Sequence, residues 1–235
     1  MRAISSMATR VLLAELSAAS AAIGLPLVEI ESVGGVDAAR RVALGERVDL
    51  VILASDALQD LAQHGHVVPS SVTPLASSHT AIAIRSRGSF DATPPSTPAF
   101  DDAVGVRAAL RDAGSVGYST GPSGAALLRQ IENWNMAAEM RDRLVQARSG
   151  TPVARLVADG EVDIGFQQLS EMIGQDGIRI LGVLPPDCAI ETVFAGGVAT
   201  ATADPAAALS VLSFFCSAAA APIKRMHGFN DASAS

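Results

Sequence analysis

Apolar positions along this chain follow two periods that alternate. Arg2-Ala3-Ile4-Ser5 is a short apolar strand candidate, and Ala8 to Ala22 places Val11, Leu12, Ala14, Leu16 and Ala19 at helical spacing. Gly24 and then Pro26 close that helix, as expected of a stop signal. Leu27 to Glu31 alternates like a strand, Asp37 to Leu44 reads as a helix stopped by Gly45, and Asp49-Leu50-Val51-Ile52-Leu53 is a continuous apolar run. A strand without alternation is buried on both faces, which is typical of parallel sheets. The order strand–helix–strand–helix–strand predicts an α/β fold with right-handed crossovers.

The same texture continues. Strands are predicted at Thr80–Ile84, Ser115–Ser119, Asp163–Phe166, Arg179–Val183 and Glu191–Ala195. Helices are predicted at Ala103–Asp112, from the Gly121-Pro122 turn to Ile131, at Val153–Ala158 and at Pro205–Ser217. A polar, proline-bearing loop runs from Ser86 to Pro98, and the tail from Asp231 to Ser235 is expected to fray. No internal repeat is present.

Composition narrows the chemistry. At 235 residues with 49% hydrophobic and 17% charged positions, the chain has enough apolar surface to fold, so disorder is excluded. A net charge of -7 leaves no basic footprint for nucleic acid, and 4% aromatics offer no stacking platform for bases. Lys224 is the only lysine and sits in the last helix-like stretch, so Schiff-base chemistry and a P-loop lysine have no place here. Cys188 and Cys216 are isolated, with no CxxC or metal-ligand spacing, and are expected to be buried thiols. The run Val11-Leu12-Leu13-Ala14 is bracketed by Arg10 and Glu15 and is too short for a signal-peptide core, so a cytoplasmic protein is expected, or a periplasmic one where a signal peptide has been removed. No run reaches the length of a membrane span, and no membrane insertion is expected.

In open α/β sheets, ligands bind where strand ends run into helix starts. Four such turns are rich in hydroxyls, glycines or amides. Ser5-Ser6-Met7-Ala8-Thr9-Arg10 puts two hydroxyls beside helix N–H groups, an arrangement that suits an anion and equally serves as a helix cap. Gly34-Gly35, just before Asp37, lets backbone amides approach a ligand closely or simply makes a tight connection. Tyr118-Ser119-Thr120-Gly121-Pro122-Ser123-Gly124 carries more hydroxyls and glycines than capping requires, and it is neither GxGxxG nor a Walker loop. Gln167 and Gln168 follow a strand and can orient carboxylate oxygens without adding charge, with Glu171 close behind. His64 and His66 fit helix-end and turn roles, and no third metal ligand accompanies them. His79, placed at the start of a strand, is a general-base candidate.

With those turns placed, the chain resembles the type II periplasmic-binding-protein fold, and within it the molybdate-binding-protein-like family. The likeness rests on the opening strand with Ser5-Ser6, on Ala39-Arg40-Arg41-Val42 through Gly45 to Asp49-Leu50-Val51-Ile52, on Gly165-Phe166-Gln167-Gln168 and on the ending His227-Gly228-Phe229. It implies an α/β fold of two lobes with a ligand cleft between them. One lobe comprises residues 1–78 with 192–235, and the other is inserted at 79–191. Where oxyanion binders offer a second serine on the glycine-rich loop, this chain has Gly35-Val36, and where they commonly place a tyrosine it has Gln168. Losing two hydroxyl donors disfavours molybdate or tungstate and suits a larger organic anion.

The hydroxyl-rich loops are similar to those of an aconitate-isomerase-like subgroup. That likeness implies an isomerase moving a proton along a small unsaturated polycarboxylate, with no cofactor and no metal. Ser5, Ser6, Arg10, Gly34, Gly35, Ser119, Thr120, Ser123, Gly124, Gln167 and Gln168 would bind substrate. Tyr118, Glu171 or His79 would carry the proton. Arg10 is the first choice for a carboxylate clamp, followed by Arg40 and Arg148. The alternative is a non-catalytic solute-binding protein that delivers a small anion to an ABC transporter. A ligand-sensing domain like those of LysR-type regulators is a third reading.

Overall fold

The computed structural model describes residues 1–86 and 97–232, so the loop expected from Ser86 to Pro98 lies mostly outside the described residues. In chain order the first elements are β1 (Arg2–Ser6), α1 (Arg10–Ala22), β2 (Glu29–Val33), α2 (Gly35–Ala43), β3 (Leu50–Ala54), α3 (Ser55–Gln63) and β4 (Thr73–Arg85). There follow α4 (Ala103–Asp112), β5 (Val116–Tyr118), α5 (Pro122–Asn133), α6 (Ala137–Met140), β6 (Leu144–Gln146), α7 (Val153–Asp159), β7 (Ile164–Gln168) and α8 (Leu169–Met172). The chain ends with β8 (Ile178–Val183), β9 (Glu191–Val198), α9 (Pro205–Phe215), α10 (Ala221–Met226) and β10 (Asn230–Asp231). It divides into two compact units, Met1–Ser78 with Val193–Ser235, and His79–Thr192.

In the first unit, β1 lies between β2 and β3, parallel to both, and β9 adds antiparallel to β3. The continuous apolar run of β3 is explained by two-sided burial. Leu50 and Ile52 enter one core with Leu12, Leu16, Leu212 and Phe215, while Val51 and Leu53 enter a second core with Val42, Leu58 and Leu61. Lys224 is buried at 2% exposure, with its ammonium 3.5 Å from the Asp231 carboxylate.

In the second unit, β4 pairs with both β7 and β8, while β5 lies between β7 and β6 in parallel. Ile82, Val116, Ile164 and Phe166 pack on one face with Leu127 and Ile131 of α5. Ala81 and Ala83 pack on the other with Val153 and Val157 of α7. Helix α7 comes unusually close. A Cβ at Gly165 would lie 2.6 Å from Val157 and 2.8 Å from Val153, and one at Gly117 would lie 3.0 Å from Val153.

Most predicted elements are present with shifted ends. Strand β2 begins at Glu29 rather than Leu27, which stays outside the strand at 65% exposure. Helix α2 begins at Gly35, so Gly34 and not Asp37 occupies the cap position. Thr80 lies within a long β4 rather than near the start of a short strand. The short elements α6, β6 and α8, and the whole of α3, carry no pattern that the periodicity reading separates.

Candidate functional site

The first unit places its polar turn at the ends of β1 and β2. Ser5 and Ser32 are register partners, and their hydroxyls hydrogen-bond at 2.8 Å, so Ser5 serves the sheet rather than standing open to a ligand. Ser6 is buried, and its Oγ has no hydrogen-bond partner among the described residues. A Cβ added to Gly35 would sit 3.7 Å from the Ser6 Cβ, so the two turns adjoin. Helix α2 starts there with no side-chain cap, which leaves its first N–H groups without an internal acceptor. Arg10 is exposed at the first residue of α1 and makes no ion pair among the described residues. Arg40, by contrast, is held by Asp37 at 2.7 Å and is already paired.

The second unit gathers more groups at one sheet edge. Strands β5, β6 and β7 run parallel, with Tyr118 level with both Phe166 and Gln146. The turns that follow them therefore leave from the same edge. Thr80 of the antiparallel β4 is the register partner of Gln168. Both side chains are buried, and Thr80 Oγ1 and Gln168 Oε1 both lack hydrogen-bond partners among the described residues. The Gln168 Nε2 donates to Thr192 Oγ1 at 2.5 Å. Turning the amide by half a turn exchanges its ends, letting Thr192 donate and leaving Nε2 as the open group. In either orientation one polar atom of a buried amide waits for a partner, at a cost of about 1–3 kcal/mol.

The loop between β5 and α5 is less open than its composition predicts. The Ser119 and Ser123 hydroxyls hydrogen-bond to each other at 3.1 Å, and Ser119 Oγ also accepts from Gly121 N–H. Gly124 is required by packing, because a Cβ there would lie within 2 Å of the Ser119 carbonyl oxygen, a contact of 1.9 Å. Thr120 is exposed at the turn, and Tyr118 packs against the core beside α5. Arg148 follows β6 at the same edge, exposed and without an ion pair among the described residues. His79 lies inside β4, partly buried, and does not open a strand.

Gln167 reaches the start of α7, and Glu171 lies in α8 just beyond β7. Gln167 is 2% exposed, and its Oε1 accepts from the Val153 N–H at 2.7 Å. The Gln167 amide oxygen is thus already engaged inside the protein. The atoms packed around Glu171 desolvate it and push it up to about 7. No charged neighbour among the described residues alters it.

Thr80 and Thr192 were not among the expected site residues. The signal for Thr80 is a hydroxyl in the otherwise apolar stretch Thr80-Ala81-Ile82-Ala83-Ile84. Cys188 is buried, Cys216 is half-buried, and burial pushes each thiol up to about 11, which makes both poor nucleophiles.

Comparison with known proteins agrees with this architecture. An aconitate isomerase of Pseudomonas sp is 32% identical over 187 residues, which is 77% of this chain and 66% of that enzyme. The chain thus spans just under two thirds of that relative's length. The periplasmic molybdate-binding protein of Azotobacter vinelandii superposes with a TM-score of 0.77 at 18% identity, covering 97% of this chain and 98% of that one. The sulfate-binding protein of Mycobacterium tuberculosis superposes with a TM-score of 0.72 at 17% identity, covering 99% and 86%. The fold is therefore the type II periplasmic-binding-protein fold. The family description speaks of extracellular proteins, which gives the expectation of a cytoplasmic protein no support. Residues 4–230 match the bacterial extracellular solute-binding proteins, and the chain belongs to that family.

Proposed function

We propose that the protein is an isomerase that moves a proton across the allylic unit of a small unsaturated polycarboxylate such as aconitate. The observation that carries this reading is Glu171, a carboxyl without a cationic partner among the described residues, which burial pushes up to about 7. A receptor for anions gains nothing from a titrating carboxyl, whereas a general base is most effective with its pKa near the working pH. The similarity to an aconitate isomerase supports the same reading.

In this mechanism the Glu171 carboxylate removes a methylene proton beside a substrate carboxylate. The electron pair of the broken C–H bond spreads over the allylic unit onto carboxylate oxygens. Glu171 then returns the proton to the far carbon, and the double bond ends one position along. Charge that develops on the carboxylate needs donors already in place. Gln168, Thr80 and the Thr120 turn supply neutral ones, and Arg148 supplies a planar cation at the same sheet edge. In the first unit, Ser6, the Gly34-Gly35 turn and Arg10 form a second set of anion-binding groups.

Proton NMR of trans-aconitate in deuterated buffer tests the proposal. Deuterium should enter the methylene and vinyl positions as the cis form appears. A purified, folded protein that causes neither exchange nor cis product removes this substrate.

The second reading, a non-catalytic receptor for a small anion, is favoured by the solute-binding family itself. In that case Thr80 and Gln168 are simply unsatisfied polar groups of a binding site in the second unit.

A further inference from the structure

The Thr192 hydroxyl decides which end of the Gln168 amide is open. Thr192 Oγ1 makes one hydrogen bond among the described residues, at 2.5 Å to the Gln168 side chain. An N–H···O bond spans about 2.7–3.2 Å and an O–H···O bond about 2.5–3.0 Å, so this contact has the length of a hydroxyl donating to an amide oxygen. The same orientation gives the Thr192 hydrogen an acceptor. The reverse one leaves that hydrogen, the amide oxygen and the Thr80 hydroxyl all without partners among the described residues. The buried, unpartnered end of Gln168 is then its NH₂ group.

Thr80 supplies the second open group. It is the register partner of Gln168 on the antiparallel β4–β7 pair, so both side chains leave the same face of the sheet. The next residues along that face, Ile82 and Phe166, belong to an apolar core and offer neither group an acceptor. An NH₂ and a hydroxyl are thus buried side by side, and their complement is a group with two acceptor oxygens on one atom. No arginine or lysine among the described residues hydrogen-bonds Thr80, Gln168 or Thr192. Neutral donors alone suit a singly charged carboxylate better than a divalent oxyanion.

We propose that Thr80 and Gln168 form a charge-neutral subsite for one carboxylate of the ligand, and that Thr192 is the positioning residue that turns the Gln168 NH₂ towards it. One carboxylate oxygen accepts from the Thr80 hydroxyl and the other from Gln168 Nε2–H. Each donor regains on binding the hydrogen bond that burial took from it. This deepens the functional reading given above and rests on it only in that the second unit holds a carboxylate ligand; the ligand need not react.

The NMR signals of the Gln168 side-chain NH₂, assigned against Gln168→Met, read this directly. Adding trans-aconitate or citrate should move one of its protons downfield and slow its exchange with water, because the group gains an anionic acceptor. By calorimetry, Thr80→Val should weaken binding of both acids several-fold, and Thr80→Ser should restore it. Thr192→Val should weaken binding about tenfold and blunt the amide response, while Thr192→Ser, which keeps the hydroxyl, should retain both. Should the Thr192 variants fail to fold, the response of the unaltered protein still decides. Three outcomes overturn the proposal: a folded protein that binds neither acid, amide protons unmoved when an acid binds, or the same response to sulfate. A clear amide response in a protein that leaves trans-aconitate unchanged overturns the isomerase reading alone.

Discussion

Glu171 holds its proton over a range in which an unfolded chain releases it, and this links site chemistry to stability. The group moves from an ordinary 4.5 to about 7. Below 4.5 both states are protonated, and stability is insensitive to this group. Between 4.5 and 7 only the folded state binds the proton, so stability falls as pH rises through that window and levels off above it. The full effect is on the order of 3 kcal/mol as an upper bound. Glu171→Gln should therefore lose less stability than the unaltered protein between pH 4.5 and 8, as read by urea denaturation, and should lower isomerisation by about a hundredfold or more. Equal losses in both proteins would show that burial does not burden this carboxyl. Gln168 and Glu171 stood out in the sequence because one closes an apolar strand and the other lies in the short turn of helix after it. The role of Gln167 did not, since nothing local to it reveals that the start of α7 lies 2.7 Å away.

Among the elements, β3 and β4 show where pattern suffices and where it does not. The unbroken run Leu50–Leu53 was legible as a two-sided strand because each residue meets a core whichever way it points. Helix α3 was not. It starts at Ser55 directly after β3 ends at Ala54, with no side-chain cap to mark the change. Gly117 and Gly165 were placed in strands by pattern, yet nothing in the pattern showed that they are glycine to admit α7. In β4, the alternation of Thr80, Ile82 and Ile84 places one hydroxyl on a face that is otherwise apolar. Thr80→Val should leave the ligand-free protein as stable as before, or more stable by up to about 1 kcal/mol, since an unsatisfied hydroxyl is replaced by a methyl group. The same change should weaken trans-aconitate binding several-fold by calorimetry. A stability loss above about 2 kcal/mol would mean that the hydroxyl is satisfied in the free protein.

For the molecule as a whole, the net charge of -7 disfavours polyanions and leaves a small anion held by local donors as the fitting ligand. Calorimetry across molybdate, tungstate, citrate and trans-aconitate separates the two functional readings. The isomerase reading expects the tricarboxylates to bind and the metal oxyanions to bind weakly. Tight molybdate or tungstate binding would establish the receptor reading in its place. The two-unit architecture was legible because the strand–helix order and the polar turns point to one known fold, although sequence patterns left element ends uncertain by a few residues. The division of the chain bears on how the protein is made. The second unit, His79–Thr192, is contiguous, so all of it has left the ribosome while the first unit still lacks β9, α9 and α10. Until Val193 and the residues after it are synthesised, β3 lacks its antiparallel neighbour, and Leu12, Leu16 and Leu50 lack Leu212 and Phe215. The unit that begins the chain is thus the last that can finish folding, and its half-built core is the surface most in need of protection during synthesis.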